Sequence, residues 1–152
     1  MLLLGACSSF NMSAFDLSGL KYFVGVSPEL QTISLRAEND VNGGYPLAVD
    51  VLLISDKKVF EALSNLRATE WFSGRTDYLR QHQKNIFLTA WELVPGQRLE
   101  NVSLLQPDDA VVGALVFADY PGERTYRAAV LKQKKILLRL TKDDFQVLPY
   151  DE

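Results

Sequence analysis

The only cysteine of this 152-residue chain, Cys7, follows an apolar run and two small residues in MLLLGAC. It has no second cysteine with which to form an internal disulfide. This order of residues is typical of the end of a bacterial lipoprotein signal peptide, in which the cysteine thiol takes up a lipid. We therefore expect Cys7 to be lipidated, residues 1–7 to be the remnant of a signal peptide, and residues 8–19 to be a tether. The alternative is an unmodified thiol in a terminal segment.

The other residues that could do chemistry are scattered along the chain. His82 is the only histidine, so a metal site built on it would need carboxylates as its remaining ligands. It lies in the polar stretch RQHQK, which is typical of a solvent-exposed loop. The pairs Asp108–Asp109 and Asp143–Asp144 adjoin strand patterns, and solvated turns explain them better than acid–base catalysis does.

The sequence contains no G-x-S-x-G elbow and no phosphate-binding glycine loop. Together with the single histidine, this predicts a protein that is not an enzyme and needs no metal or other cofactor. The net charge is −3, and lysines and arginines are interspersed with acidic residues, so a nucleic-acid surface is not expected. The basic cluster Lys132–Lys135 is interpreted as a solvated hairpin turn rather than a contact to phosphate or lipid headgroups.

Sequence patterns typical of β-strands dominate the chain. TISLRA (residues 32–37) alternates with period two, and Leu47–Ser55 is apolar on both faces apart from Asp50. Helical spacing follows Ser55, a plausible N-cap, at Val59, Phe60, Leu63 and Leu66. We expect a second short helix at about Thr76–Gln81, separated from the first by Gly74, with Trp71 and Phe72 docking this insert on a sheet.

The second half of the chain returns to strand patterns. Asn85–Leu93 precedes a Pro-Gly pair suited to a type II turn, and Ala110–Tyr120 is apolar enough for a central strand. RTYRAAVL and KILLRL are predicted to pair across Lys132–Lys134, and DFQVLP is predicted to be a final edge strand. The pattern predicts an all-β fold with a small helical insert at about residues 56–82, namely a two-sheet antiparallel β-sandwich over residues 20–152.

The segment Glu38–Pro46 is about nine residues long, whereas a β-hairpin needs only two to five loop residues. It carries apolar Val41 and Tyr45 and acidic Glu38 and Asp40. Tyrosine is enriched among binding hot spots, and acidic groups can steer a basic partner. We interpret the segment as a partner-binding loop, and the alternative is a surface loop without a function.

The order of these motifs resembles that of the TssJ (also called VasD) lipoproteins of bacterial type VI secretion systems. The resemblance runs from about Gln31 to Leu148. Its motifs are ISLRA, ENDVNGG, LAVDVLLIS and KKVFEALSNL, then Leu93-Val94-Pro95-Gly96, VGALVFADY, and the strand that carries Tyr126 and Arg127. The first loop departs from the family pattern, because its proline, Pro46, stands at the far end of the loop.

The resemblance implies a transthyretin-like β-sandwich and an outer-membrane lipoprotein that faces the periplasm. Such a protein is a structural component of the secretion membrane complex and binds the periplasmic C-terminal region of the inner-membrane protein TssM. The family contact carries over to Glu38, Asn39, Asp40, Val41, Asn42, Gly43, Gly44 and Tyr45. No nucleic acid and no small-molecule substrate are expected as partners.

Two alternatives stay open from the sequence. A pilotin that escorts secretin subunits to the outer membrane shares a lipidated cysteine and a small β-rich domain. A periplasmic ligand-binding or inhibitory β-sandwich would require an apolar pocket with a few converging polar groups.

Overall fold

A computed structural model describes residues 30–130 and 132–150. Within these residues, eight strands form two four-stranded sheets, with the orders β4-β1-β7-β8 and β3-β2-β5-β6. The strands are β1 (Thr32–Ala37), β2 (Leu47–Ile54), β3 (Ile86–Leu93), β4 (Arg98–Ser103), β5 (Gly113–Ala118), β6 (Arg127–Val130), β7 (Lys135–Leu140) and β8 (Phe145–Pro149). The predicted all-β sandwich with a small helical insert is confirmed. The predictions for Cys7 and for residues 1–19, and the first ten residues of the sandwich predicted over residues 20–152, lie outside the described residues.

The two inner strands of the second sheet, β2 and β5, form the centre of the core. Every residue of β5 is buried, and in β2 only Ala48 is partly exposed. Both faces of these strands are covered, which explains why their sequences are almost continuously apolar. DFQVLP, as predicted, forms an edge strand, β8.

Strand pairing differs from the prediction in two places. β1 pairs in parallel with β7, whereas the other paired strands are antiparallel. The predicted hairpin across Lys132–Lys134 is wrong, because β6 pairs with β5 in one sheet and β7 pairs with β1 and β8 in the other. The connection between β6 and β7 therefore crosses from sheet to sheet, and two apolar strand patterns alone could not distinguish these pairings.

The helical insert consists of α1 (Lys57–Leu63) and α2 (Ala68–Gln81). Asp56, not Ser55, caps α1, since its side chain accepts a hydrogen bond from the Val59 amide at 3.0 Å. The predicted break at Gly74 is also wrong, because Gly74 lies inside α2. A Cβ atom there would lie 2.7 Å from the Tyr78 ring, so the glycine leaves room for this aromatic side chain.

The two helices cover one face of the β3-β2-β5-β6 sheet, and the other sheet packs against its opposite face. Trp71 of α2 is buried and its ring stacks on that of Phe117 from β5, with centroids 5.3 Å apart. Phe72 is half-buried and packs against the same core. The predicted docking of the insert by Trp71 and Phe72 is thus confirmed. No helix in the described part of the chain is long and apolar enough to cross a membrane.

Candidate functional site at the loop end of the sandwich

Four connections meet at one end of the sandwich, which we call the loop end. They are residues 38–46 (the β1–β2 loop), 94–97, 119–126 and 141–144. Strand register brings them together, since Arg36 pairs with Arg98 and Ala37 with Leu140 in one sheet, and Leu47 pairs with Leu93 in the other. The chain enters β1 at the opposite end, where the Gln31 amide donates to the Lys134 carbonyl at 2.9 Å.

The β1–β2 loop connects strands that lie in different sheets, so the comparison of its length with that of a β-hairpin does not apply. The loop needs its length to cross from one sheet to the other. Three short-range backbone hydrogen bonds shape it, from Val41 to Glu38, from Gly43 to Asp40 and from Tyr45 to Asn42, at 3.0–3.3 Å. The loop is therefore a compact turn rather than an extended strap.

Left-handed backbone torsions complete this turn. Asn42, Gly43 and Gly44 have φ values of 49°, 65° and 91°. Asparagine and glycine adopt this region at low cost, which explains the NGG triplet. The Asn42 side chain also donates to the Pro46 carbonyl at 2.9 Å and closes the turn.

Val41 and Glu38 hold the loop against the sandwich. Val41 is fully buried in the core, so its side chain faces the sandwich in this conformation, and its predicted contact with a partner stays a prediction. The Glu38 carboxylate accepts a hydrogen bond from the Arg139 side chain at 2.7 Å. The backbone amide of Glu38 donates to the Leu140 carbonyl at 2.9 Å. The loop thus has fixed anchors at residues 38 and 41 and presents the rest of its surface outward.

The exposed residues of the loop are Asn39, Asp40, Gly43, Gly44, Tyr45 and Pro46. Tyr45 is 72% exposed, which is the highest value among the large apolar side chains of the described chain that face solvent. An aromatic ring this exposed gains little from burial on folding, and its face is accessible to another molecule.

The neighbouring 94–97 turn extends this surface. Val94 is 50% exposed, and the Gly96 amide donates to the Glu38 carbonyl at 3.2 Å. Gly96 has φ 77°, and the Gln97 amide donates to the Val94 carbonyl, as the predicted type II turn requires. A Cβ atom on Gly96 would lie 2.9 Å from the Asn39 side-chain oxygen, so glycine is needed for the two loops to touch.

Two tyrosines form the wall on the other side of the β1–β2 loop. The rings of Tyr120 and Tyr126 are buried, with centroids 5.1 Å apart. The Tyr120 hydroxyl lies 2.8 Å from the Thr141 carbonyl and 2.7 Å from the Asp144 carbonyl, so its hydrogen is shared between them. Burial, and secondarily the Asp144 carboxylate, raise the pKa of this hydroxyl, which therefore stays a donor.

A depression of about 150 Å³ lies between this wall and the β1–β2 loop. Gly43, Tyr120, Tyr126, Lys142 and Asp143 are among the residues that line it. Beyond Tyr126, a second depression of about 350 Å³ opens between the edge strands β6 and β8. Sequence reasoning missed both, because the tyrosines and the acidic pair come together only through the fold.

Acidic side chains outnumber basic ones in the four connections of the loop end. The acidic residues are Glu38, Asp40, Asp119, Glu123, Asp143 and Asp144, and the basic ones are Arg124 and Lys142. Arg124 is ion-paired with Asp144 at 2.8 Å. The four connections therefore carry four more acidic than basic side chains, and Arg139 of β7 neutralises one of them, Glu38.

The other residues that were considered as catalytic or metal-binding candidates lie in turns and connections of the fold. His82 is the C-cap residue of α2 and lies in the turn that follows the helix, partly exposed, where its amide donates to the Tyr78 carbonyl at 3.0 Å. Asp108 and Asp109 are exposed in the β4–β5 connection. Asp144 accepts from the Phe145 amide at 2.9 Å and belongs to a turn, as predicted. Among the residues described, no group of three or more His, Cys, Asp or Glu could hold a metal ion.

A buried polar cluster under α2 was also missed. Asp50 of β2 is 1% exposed; Trp71 Nε1 donates to its Oδ2 at 2.9 Å, and Arg75 Nε lies 2.9 Å from the same oxygen. Burial raises the pKa of Asp50, although Trp71 and Arg75 act in the opposite direction. A lone acidic residue in an apolar strand was the signal for this cluster. Its partners, 21 and 25 residues away, could not be read from the sequence.

Comparison with known proteins identifies the fold. No family model matches the chain, and no curated protein matches it in sequence. Among solved structures, a chain of a type VI membrane complex aligns with a TM-score of 0.59 at 18% identity, over 79% of this chain and 99% of that one. The type VI secretion lipoprotein TssJ1 from Pseudomonas aeruginosa aligns with a TM-score of 0.59 at 15% identity, over 82% and 99% of the two chains.

A third match is to a chain of the structure described as the type VI secretion protein TssM C-terminal domain from EAEC. It aligns with a TM-score of 0.55 at 17% identity, over 80% of this chain and all of that one. At these identities the likeness concerns the fold, and it confirms the architecture that the sequence resemblance implied. The chain has the β-sandwich fold of the TssJ lipoproteins of type VI secretion systems.

Proposed function

We propose that this protein is an outer-membrane lipoprotein that faces the periplasm and serves as a structural component of a type VI secretion membrane complex. In this proposal Cys7 carries the lipid, and the β1–β2 loop binds the periplasmic C-terminal region of a TssM-like inner-membrane protein. The likeness of fold to TssJ1, and to a chain of a TssM structure, supports the choice of system and partner.

The observation that carries the proposal is the outward display of Tyr45 on a loop with fixed anchors. Val41 and the Glu38–Arg139 ion pair hold the loop in shape before any partner arrives. Binding to a preshaped loop avoids much of the entropy loss that ordering a flexible segment would cost. An exposed tyrosine on such a loop has the character of a binding hot spot.

The position of the chain entry also supports the proposal. β1 begins at the end of the sandwich opposite to the loop end. A lipid on Cys7 would connect to the domain through that opposite end, so the loop end would be free to face away from the membrane. This is the polarity that a bridge between an outer-membrane anchor and an inner-membrane protein needs.

Calorimetric titration of residues 10–152 with the periplasmic C-terminal region of TssM from the same secretion cluster tests the partner. We expect Tyr45→Ala to weaken binding about thirtyfold, which corresponds to about 2 kcal/mol. Leu105→Ala is the matched control, since Leu105 is 56% exposed but lies in the β4–β5 connection at the opposite end. Equal affinities of both variants would move the contact elsewhere, and no binding by the wild type would favour the pilotin or ligand-binding alternatives.

Metabolic labelling tests the anchor separately. The gene is expressed from its natural start with a clickable fatty acid, and membranes are fractionated. We expect label and outer-membrane recovery in the wild type and neither in Cys7→Ser, because the variant lacks the thiol that takes up the lipid anchor. Equal labelling of both proteins would overturn the assignment of Cys7.

A further inference from the structure

We propose that Asn42 is a site of spontaneous deamidation and that the turn of the β1–β2 loop controls its rate. Asn42 is the only one of the six asparagines in the chain that is followed by glycine. In an Asn-Gly pair the backbone amide of the glycine is itself the nucleophile, so the reaction needs no enzyme and no reactant other than water. Because glycine has no Cβ atom, its nitrogen is the least hindered for this attack.

The reaction has two steps. The Gly43 amide nitrogen attacks Cγ of Asn42, the Cγ–Nδ2 bond breaks, and Nδ2 leaves as ammonia with the proton of the Gly43 amide. Water then opens the resulting five-membered succinimide at either of its two carbonyls. One opening gives aspartate at position 42, and the other gives isoaspartate, in which the main chain passes through Cβ and Cγ.

The folded loop holds the reacting groups apart. The Gly43 amide donates to the Asp40 carbonyl at 3.0 Å, and Asn42 Nδ2, the leaving group, donates to the Pro46 carbonyl at 2.9 Å. Asn42 has ψ 36°, which places the Gly43 nitrogen nearly opposite Cβ across the Cα–C bond. Ring closure needs these two atoms on the same side of that bond, so the turn must open before Asn42 can react.

The turn can open without disturbing the core. Gly43 and Gly44 are exposed, and a Cβ atom on either would meet nothing within 4 Å, so neighbouring atoms do not hinder backbone rotation there. Exposed loops open locally at a lower free energy than core strands do. Since only the open loop reacts, a turn that is open for about one-tenth of the time or less slows deamidation at least tenfold.

Deamidation alters the loop that the proposed function assigns to a partner, and this consequence rests on that proposal. Both products carry a carboxylate, which cannot donate to the Pro46 carbonyl as the Asn42 amide does. Isoaspartate also adds a carbon to the main chain of a loop that connects two sheets. The preshaped display of Tyr45 is lost with the turn, so we expect binding to weaken about tenfold.

Peptide mapping by mass spectrometry tests the chemistry without the partner. Residues 10–152 are incubated at mildly alkaline pH, folded or in urea. We expect Asn42 to convert before the other five asparagines, at least tenfold faster in urea than in the folded protein. Gly43→Ala places a Cβ atom beside the attacking nitrogen and should slow conversion in both states. Earlier conversion of another asparagine, or equal rates in the two states, would overturn the proposal.

Two loop variants test control by the turn. Val41→Ala weakens the buried anchor, and Glu38→Gln weakens the pairing with Arg139. The folded rate of each variant is divided by its own rate in urea, and we expect this ratio to rise about fivefold for Val41→Ala and about twofold for Glu38→Gln. Leu105→Ala, at the opposite end, should leave it unchanged. If neither loop variant raises the ratio, the turn does not control the reaction.

Calorimetry with the TssM region compares fresh and aged protein. Aged wild type should bind about tenfold more weakly than fresh wild type, whereas aged Gly43→Ala should keep the affinity of its own fresh sample. Unchanged affinity after complete conversion of Asn42 would overturn the link to binding. If fresh wild type does not bind at all, the proposed function fails, and the mass-spectrometric result still decides whether Asn42 is the deamidation site.

Discussion

The loop end and the face beneath α2 use the same three kinds of side chain for different purposes. At the loop end, Asp144, Tyr126 and Arg124 form an exposed ion pair over a ring. Beneath α2, Asp50, Trp71 and Arg75 form a cluster around a buried carboxylate. Burial makes the difference. Exposed charges remain available to a partner, whereas the buried carboxylate must be satisfied within the protein.

The largest expected effect in this comparison is the loss of Asp50. Asp50→Ala leaves the Trp71 indole N–H and part of the Arg75 guanidinium without an acceptor, and we expect it to lower the free energy of unfolding by about 3 kcal/mol. Asp144→Ala, the matched change at the exposed pair, is expected to cost about 1 kcal/mol or less. Urea denaturation followed by tryptophan fluorescence measures both, and similar losses would remove the distinction between the two clusters.

A smaller effect is expected from Trp71→Phe. This change keeps an aromatic ring against Phe117 but removes the donor to Asp50, so a cost of about 2 kcal/mol is expected from the unpaired carboxylate and the lost ring area. Phe72→Leu is the control, because Phe72 is only half-buried in the same helix. Thermal unfolding should show the larger shift for Trp71→Phe, and the reverse order would mean that the indole hydrogen bond contributes little.

The raised pKa of Asp50 predicts a pH effect. Because the folded protein binds this proton more tightly than the unfolded chain does, the contribution of Asp50 to stability falls as the pH rises from about 4, its usual pKa, through the raised value. The wild type should therefore lose stability relative to Asp50→Asn as the pH rises over that interval. Urea denaturation at several pH values measures it, and a difference that favours the wild type increasingly with pH would contradict the direction of the pKa shift.

The smallest effect is expected from Arg124→Ala. Its ion pair is exposed, so the free energy of unfolding should fall by less than about 1 kcal/mol, and the loss should shrink further as salt is added. Arg75→Ala, which removes the cation beside the buried carboxylate, should cost more and depend less on salt. Equal salt dependence of the two variants would show that solvent reaches both clusters alike.

Sequence reasoning could identify the strands and could not assign all of their partners. The alternation in TISLRA and the apolar run before Tyr120 each reflect how many faces of a strand are covered, and this property is local. Pairing is not local. β6 and β7 are neighbours in sequence with similar patterns, and only the packing of two sheets separates them.

The candidate site shows the same division. Tyr45 and the acidic residues of the β1–β2 loop could be selected from their types and from the loop length. The burial of Val41 and the depression beside Tyr126 could not, because both depend on the crossing between sheets and on residues about 80–100 positions further along the chain. The helix break predicted at Gly74 was wrong for a related reason. This glycine makes room for the Tyr78 ring within the helix, and the sequence does not show that contact.

The position of β1 between two neighbouring strands has a mechanical consequence. β1 lies inside its sheet, between β4 and β7, and leads directly from the chain entry at Leu30 to the β1–β2 loop. If the protein is held by a lipid before β1 and by a partner at the loop after it, tension runs along this strand. The hydrogen bonds to β4 and β7 stand across that direction, so they resist the pull together in shear instead of opening one after another. Such a strand can transmit force between two membranes without the rest of the domain being pulled apart.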